Sequence, residues 1–314
     1  MFSRIILFFF FVLMMSDGFS WGFFAHKLIN RNAVFTLPEA MLVFYKSNLD
    51  FLANHAVDPD RRRYSDPDEA VRHFIDLDYY EVKVPVDTLP KQWKNAVLKY
   101  SEDTLLAYGI VPWHVNRMVM RLTEAFKELD AYRILKTSAE LGHYVADACV
   151  PLHSTINYNG QLTGQTGIHS FWESRLPELF SNKYNLLTGK VTYIGNVQQT
   201  IWNAVEGSFG ALDSVLILEK ILSSKFPPDF KFELIKKGRN MEKIYSEDYA
   251  KAYHDLLAGQ VERRMRLSIQ LAGSLWYTAW VDAGQPDVSG LKLKERNSKE
   301  KKVSASQKML GRQE

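Results

Sequence analysis

Histidines and carboxylates recur in this sequence at intervals that suit metal binding. His143 and Asp147 stand four residues apart, His169 and Glu173 repeat that interval, and His153 lies between the two pairs. Residues four apart on a helix share one face, so each pair sets an imidazole beside a carboxylate. Both are ligand types that suit Zn²⁺, and pairs of this kind on adjacent helices can converge on one cavity. A single such pair is most often a surface ion pair or a core histidine. Two of them with His153, all within 31 residues, point to a metal site. His55, His114 and His254 lack a matched partner and read as structural or exposed. Cys149 reads as a small buried hydrophobe.

The elements that must position these groups are helices nearly throughout. Apolar residues recur at helical spacing over 23–35 and 38–54, with Pro38 placed to start the second run. Residues 114–128 and 131–149 predict two long amphipathic helices, the second ending before Pro151. His169 to Phe180 predicts another helix that Pro177 kinks or ends, and 247–281 a long one. Residues 58–72 and 155–168 read as loops, and Tyr79 to Val86 as a short strand or extended segment. Residues 180–246 give no clear reading. Of 314 residues, 46% are hydrophobic and 24% charged, enough for a sizeable core. A lone cysteine excludes an internal disulfide.

The formal net charge of +3 conceals an asymmetry. Residues 291–314 hold eight Lys/Arg against three Glu, which leaves the body slightly acidic. The basic character therefore belongs to the tail, and the body shows no charge signature of a nucleic-acid-binding surface. At the other end, Arg4 precedes an apolar run from Ile5 to Met15, followed by small residues at Gly18 and Ser20. This is the layout of a secretory signal peptide, and the run is too short to span a bilayer. The expectation is a signal at 1–20, cleavage between Ser20 and Trp21, and export to the periplasm or the medium. A single domain is expected over 21–285 and a disordered basic tail over 286–314, the tail touching anionic membrane surfaces at most weakly.

Several segments together resemble a known superfamily. They are Trp21-Gly22-Phe23-Phe24-Ala25-His26, Arg72-His73-Phe74-Ile75-Asp76, Leu141-Gly142-His143-Tyr144-Val145-Ala146-Asp147 with Pro151-Leu152-His153, and Gly167-Ile168-His169-Ser170-Phe171-Trp172-Glu173. In type, order and spacing they are similar to the zinc-dependent phospholipase C and single-strand nuclease superfamily. The resemblance implies an all-α domain around three Zn²⁺. One ion would take Asp58, His73, His143 and Asp147, and a second His153, His169 and Glu173. A third would take the amino nitrogen and carbonyl oxygen of Trp21 with His26, Asp147 bridging to it. Asp60 is an alternative to Asp58, which keeps a fifteen-residue interval to His73. An α-amino group titrates near pH 7.7–8.0, so a metal readily displaces its proton, but only once the signal is removed.

The implied reaction is phosphodiester hydrolysis by metal-activated water. Asp58 would orient the water or accept its proton, and Arg61, three residues on as in the nucleases, would contact the phosphate. The fifteen residues between His153 and His169, and Glu rather than Asp at 173, favour a phospholipase C-like enzyme acting on phospholipid. The Asp58/Arg61 pair and the His73-Phe74-Ile75-Asp76 run keep a nuclease acting on single strands as the alternative. Phe23, Phe24, Tyr64, Tyr79, Tyr80, Tyr144, Tyr158 and Trp172 are candidate pocket aromatics, with no more than two expected to touch substrate. A non-catalytic exported zinc-binding protein is the third reading. A monomer without a stable nucleic-acid partner is expected.

Overall fold

The computed structural model describes residues 22–81, 86, 88–237 and 240–293. The expected signal peptide, Trp21 and the basic stretch from 294 onward lie outside the described residues. The helices are α1 (Phe23–Val34), α2 (Glu39–Ser47), α3 (Leu49–His55), α4 (Asp58–Arg62), α5 (Trp93–Tyr100), α6 (Glu102–Ala107), α7 (Val111–Lys127), α8 (Ala131–Ala148), α9 (Ile168–Ser170), α10 (Leu176–Phe180), α11 (Val197–Lys225), α12 (Glu247–Leu256) and α13 (Gln260–Asp282). Among the described residues the only sheet is an antiparallel hairpin, β1 (Phe232–Lys237) and β2 (Asn240–Tyr245), with Phe232 paired to Tyr245. The all-α expectation holds. No helix among the described residues is long and apolar enough to cross a membrane.

Helix α8 runs through the middle and packs on α1, α3, α7 and α13. Asp130 starts it by accepting the Arg133 N–H at 3.0 Å, the N-cap bond that satisfies one orphan donor. Its Ile134, Leu135, Leu141 and Val145 are wholly buried, each contributing roughly 1.5–3 kcal/mol. Neighbouring helices are tied to its backbone: Trp276 Nε1 donates to the Ser138 carbonyl at 2.9 Å, and Asn30 Nδ2 to that of Ala139 at 2.9 Å. Gly142 permits this approach of α1. A Cβ there would lie 2.0 Å from Asn30 Oδ1.

Several boundaries differ from the sequence reading. The run 38–54 is two helices, and 247–281 breaks at Ala258 and Gly259, whose φ values of +48° and +77° cannot continue a helix. Residues 58–62 form α4 rather than loop. Leu77–Tyr80 is a 3₁₀ turn, not the start of a strand. The 169–180 helix contains a π-helical turn, Phe171–Arg175, just before Pro177. Proline has no N–H and crowds the carbonyl four residues back, which here belongs to Glu173, and widening the turn relieves that clash. The body also extends past its expected end at 285. Val288 is buried, and Trp280 Nε1 donates to the Pro286 carbonyl at 2.9 Å, so 286–293 packs on the body.

Candidate metal centre

The chemistry-bearing side chains come from six places and meet at the C-terminal half of α8. His26 projects from the first turns of α1. Asp60 comes from α4, His73 from the residue after a 3₁₀ turn, and His143 and Asp147 from one face of α8. His153 sits in the turn beyond Pro151, and His169 and Glu173 on α9 and the π-helical turn. All eight are buried.

They form two half-sites. In the first, Asp147 Oδ2 lies 2.9 Å from His73 Nδ1 and 3.2 Å from His143 Nε2, and those two rings approach to 3.1 Å. Asp60 Oδ1 is 3.8 Å from both ring nitrogens. The other oxygen of Asp147, Oδ1, lies 3.4 Å from His26 Nε2, so this carboxylate faces two directions. In the second half-site Glu173 Oε2 is 3.0 Å from His169 Nε2 and 3.4 Å from His153 Nε2. The backbone connects the halves: His153 Nδ1 bonds the His73 carbonyl at 2.7 Å, and the Ile75 N–H donates to the His153 carbonyl at 2.9 Å.

These groups fit a divalent cation and fit poorly without one. Among the described residues, His26, His153 Nε2, His169 and both oxygens of Glu173 are buried without a hydrogen bond, which costs free energy unless something binds them. Burial pushes the Glu173 carboxyl up to about 8. Burial lowers His26 to about 4, helped by His143, and His169 to about 4, helped by Arg63. His143 moves the other way, to about 9: burial would lower it, but the Asp147 and Asp60 carboxylates prevail. Asp147 is held well below the carboxylate range against its burial by His143 and His153. Neutral imidazoles and ionised carboxylates around a 2+ charge resolve this conflict. The donor set of imidazole nitrogen and carboxylate oxygen is that of zinc.

The structure corrects two expectations. Asp58 is not among the gathered groups. Its carboxylate takes His55 Nδ1 at 2.5 Å, Lys136 Nζ, and Arg61 Nη1 at 3.2 Å. Those contacts hold its pKa well below the usual range, although burial opposes them. Asp60 takes the place expected for Asp58. Likewise Arg61 is tied to Asp58 and lies over the Phe23 ring at 5.5 Å, whereas Arg63 lines the cleft. Trp21 lies outside the described residues. Its neighbour Gly22 is buried against Ser174, where a Cβ would be 2.4 Å from the hydroxyl. The entry to α1 is thus pressed onto the turn that carries Glu173.

A cleft of about 630 Å³ opens over the second half-site, lined by Arg63, His73, Phe74, Asp76, His153, Tyr158 and His169 among others. Of the candidate aromatics only Tyr158 lines it; Tyr144 and Trp172 are core. The loop 155–167 forms one wall and is anchored through Gln165, which donates to the buried Glu219 of α11 at 2.6 Å. Sequence reading passed over Glu69. It is fully buried, its Oε1 lies 3.4 Å from His73 Nε2, and Arg62, Arg72 and Tyr144 bond it. Its four-residue interval to His73 is the same signal that marked the other pairs.

The family model for zinc dependent phospholipase C matches residues 25–219, more than half of the chain. Among solved structures the chain is similar to the alpha toxin of Clostridium absonum, with 16% identity, a TM-score of 0.46, and coverage of 87% of this chain and 66% of the toxin. It is also similar to the alpha-toxin of Clostridium perfringens from avian strain SWCP, with 16% identity, a TM-score of 0.48, and coverage of 88% and 67%. The chain thus spans about two thirds of the length of these toxin chains. No curated protein gives a significant match.

Proposed function

The chain belongs to the zinc-dependent phospholipase C family, and on that premise we propose that it hydrolyses the phosphodiester of a phospholipid, releasing diacylglycerol and a phosphorylated head group. The observation that carries this reading is that the family match spans both half-sites, with the cleft above the second. Three zinc ions are proposed. Asp60, His73, His143 and Asp147 would hold one, and His153, His169 and Glu173 another. Trp21, once freed by cleavage after Ser20, would hold the third with His26 and the second oxygen of Asp147. Bound zinc supplies a Lewis acid that lowers the pKa of water and offsets charge on phosphoryl oxygens.

The chain's own residues do the rest. Arg63, three residues after Asp60 and on the cleft wall, holds the phosphate through two parallel N–H donors. Asp60 orients the attacking water and accepts its proton. The new P–O bond forms in line with the bond to the glycerol oxygen, which breaks and takes a proton from the solvent reaching the open cleft. Tyr158 and Phe74 offer apolar walls to the lipid.

The test is hydrolysis by zinc-reconstituted protein beginning at Trp21. The substrates are a chromogenic phosphodiester, phosphatidylcholine, phosphatidylethanolamine and single-stranded DNA. Lipid cleavage is expected. Faster cleavage of DNA would transfer the reading to a nuclease, and zinc binding without turnover would make the chain a zinc-binding protein.

A further inference from the structure

Second-sphere groups decide which nitrogen of a histidine a metal receives. A ring that ligates through one nitrogen carries its proton on the other, and an acceptor behind that nitrogen fixes the tautomer. His153 has such an acceptor: its Nδ1 meets the His73 carbonyl, leaving Nε2 toward Glu173. His73 is turned the other way. Its Nδ1 faces Asp147, Asp60 and His143, and its Nε2 points out of the half-site to Glu69. The separation of 3.4 Å is at the outer edge of hydrogen bonding, and among the described residues Nε2 makes no hydrogen bond to any other group.

We infer that Glu69 is the positioning residue for His73, accepting a hydrogen bond from Nε2–H and so presenting the Nδ1 lone pair to the metal. With the metal on Nδ1, the neutral ring carries its one proton on Nε2, and the carboxylate accepts a hydrogen bond from it. The surroundings of Glu69 suit that task. Its Oε2 takes Arg72 Nη1 at 2.7 Å and Arg62 Nε at 3.2 Å, while its Oε1 takes the Tyr144 hydroxyl. Arg62 also pairs with Glu140, and Arg72 with Asp66 at 3.2 Å. Both guanidiniums are thus held from outside, and they pin the carboxylate at the back of the ring. Tyr144 adjoins His143 in sequence, so the same hydroxyl that orients Glu69 rides on the helix that supplies two ligands.

The inference rests on the ligand set proposed above, and its test separates the two. Wild-type protein, Glu69→Gln and Glu140→Gln are compared for zinc affinity by chelator competition, with thermal melting of the metal-free forms as the folding control. Glu69→Gln keeps the size of the side chain and removes its charge. It is expected to weaken zinc about 10- to 100-fold. Glu140→Gln disturbs the same arginine without touching His73 and is expected to bind zinc like the wild type. In ¹⁵N-histidine-labelled wild type loaded with zinc, His73 is expected to show Nδ1 metallated and Nε2 protonated. Equal zinc loss in both variants, or His73 metallated at Nε2, would overturn the inference while leaving the ligand set standing. A wild type that binds no zinc would overturn both. Because the wild-type spectrum decides the tautomer by itself, the result survives a Glu69→Gln protein that does not fold.

Discussion

Replacing Asp60 and Asp58 by asparagine, one at a time, tests the placement of the first half-site. The Asp60 side chain is 3% exposed, with Oδ1 3.8 Å from the His73 and His143 nitrogens. Asn at 60 leaves a buried divalent ion one negative charge short. Breaking a buried pair in this way costs about 3–5 kcal/mol, which is roughly two to three and a half decades in zinc Kd. Asp58 is 18% exposed and engaged with Lys136, His55 and Arg61. Asn at 58 removes partly exposed ion pairs worth about 1 kcal/mol or less of stability and leaves the zinc Kd unchanged within about twofold. Chelator competition on the two purified variants, with metal content by mass spectrometry, reads both effects. Zinc lost in Asp58→Asn and kept in Asp60→Asn would refute the geometry, and would return the site to the fifteen-residue spacing.

Four other outcomes follow from the same structure. Arg63→Ala should lower kcat/KM on phospholipid about 10- to 100-fold through a lost charged hydrogen bond, while Arg61→Ala stays near wild type; equal losses would remove Arg63 from the cleft chemistry. One alanine added before Trp21 should reduce bound zinc by one equivalent in metal analysis, and full occupancy would exclude the amino group as a ligand. Gly142→Ala should destabilise the fold by about 1–3 kcal/mol through overpacking on Asn30, read as a lower Tm; an unchanged Tm would show that Asn30 yields. His114 is lowered to about 2, by burial first and then by Arg117 and Arg72. Its unfolded form binds a proton below about pH 6.5 while its folded form does not, so stability must fall as the pH drops from there. His114→Gln should flatten that slope by up to about 1.4 kcal/mol per pH unit, measured by denaturant unfolding of the metal-loaded protein from pH 7 to 5.

The ligands on long helices were legible in the sequence, because an interval of four on α8 has one geometric meaning. The same interval served for His169 and Glu173 even though a π-helical turn intervenes, since the two side chains still meet at 3.0 Å. The misplacement at 58–63 has a simple cause. Asp58 and Asp60 are two residues apart on a five-residue helix, so they point roughly 200° apart, and nothing in a short Asp/Arg/Pro string says which face turns inward. Arg61 and Arg63 bear the same relation and carried the same error. Glu69 was readable by the rule already in use. The hairpin was not, because its inward side is marked only at the base, where Phe232 and Tyr245 pack, while Leu234 and Met241 farther out are 66% and 60% exposed.

The two bonds between the His73–Ile75 segment and His153, one from the His153 ring to the His73 carbonyl and one from the Ile75 N–H, have a consequence for how this candidate site can vary. They act as a ruler, setting the gap between the two halves through the His153 ring and the main chain, without reference to the side chains that line the cleft. Walls at Phe74, Tyr158 or Asp76 can be exchanged for other shapes while that gap stays constant. The cleft walls are therefore free to change shape over an unchanging set of metal-suited side chains.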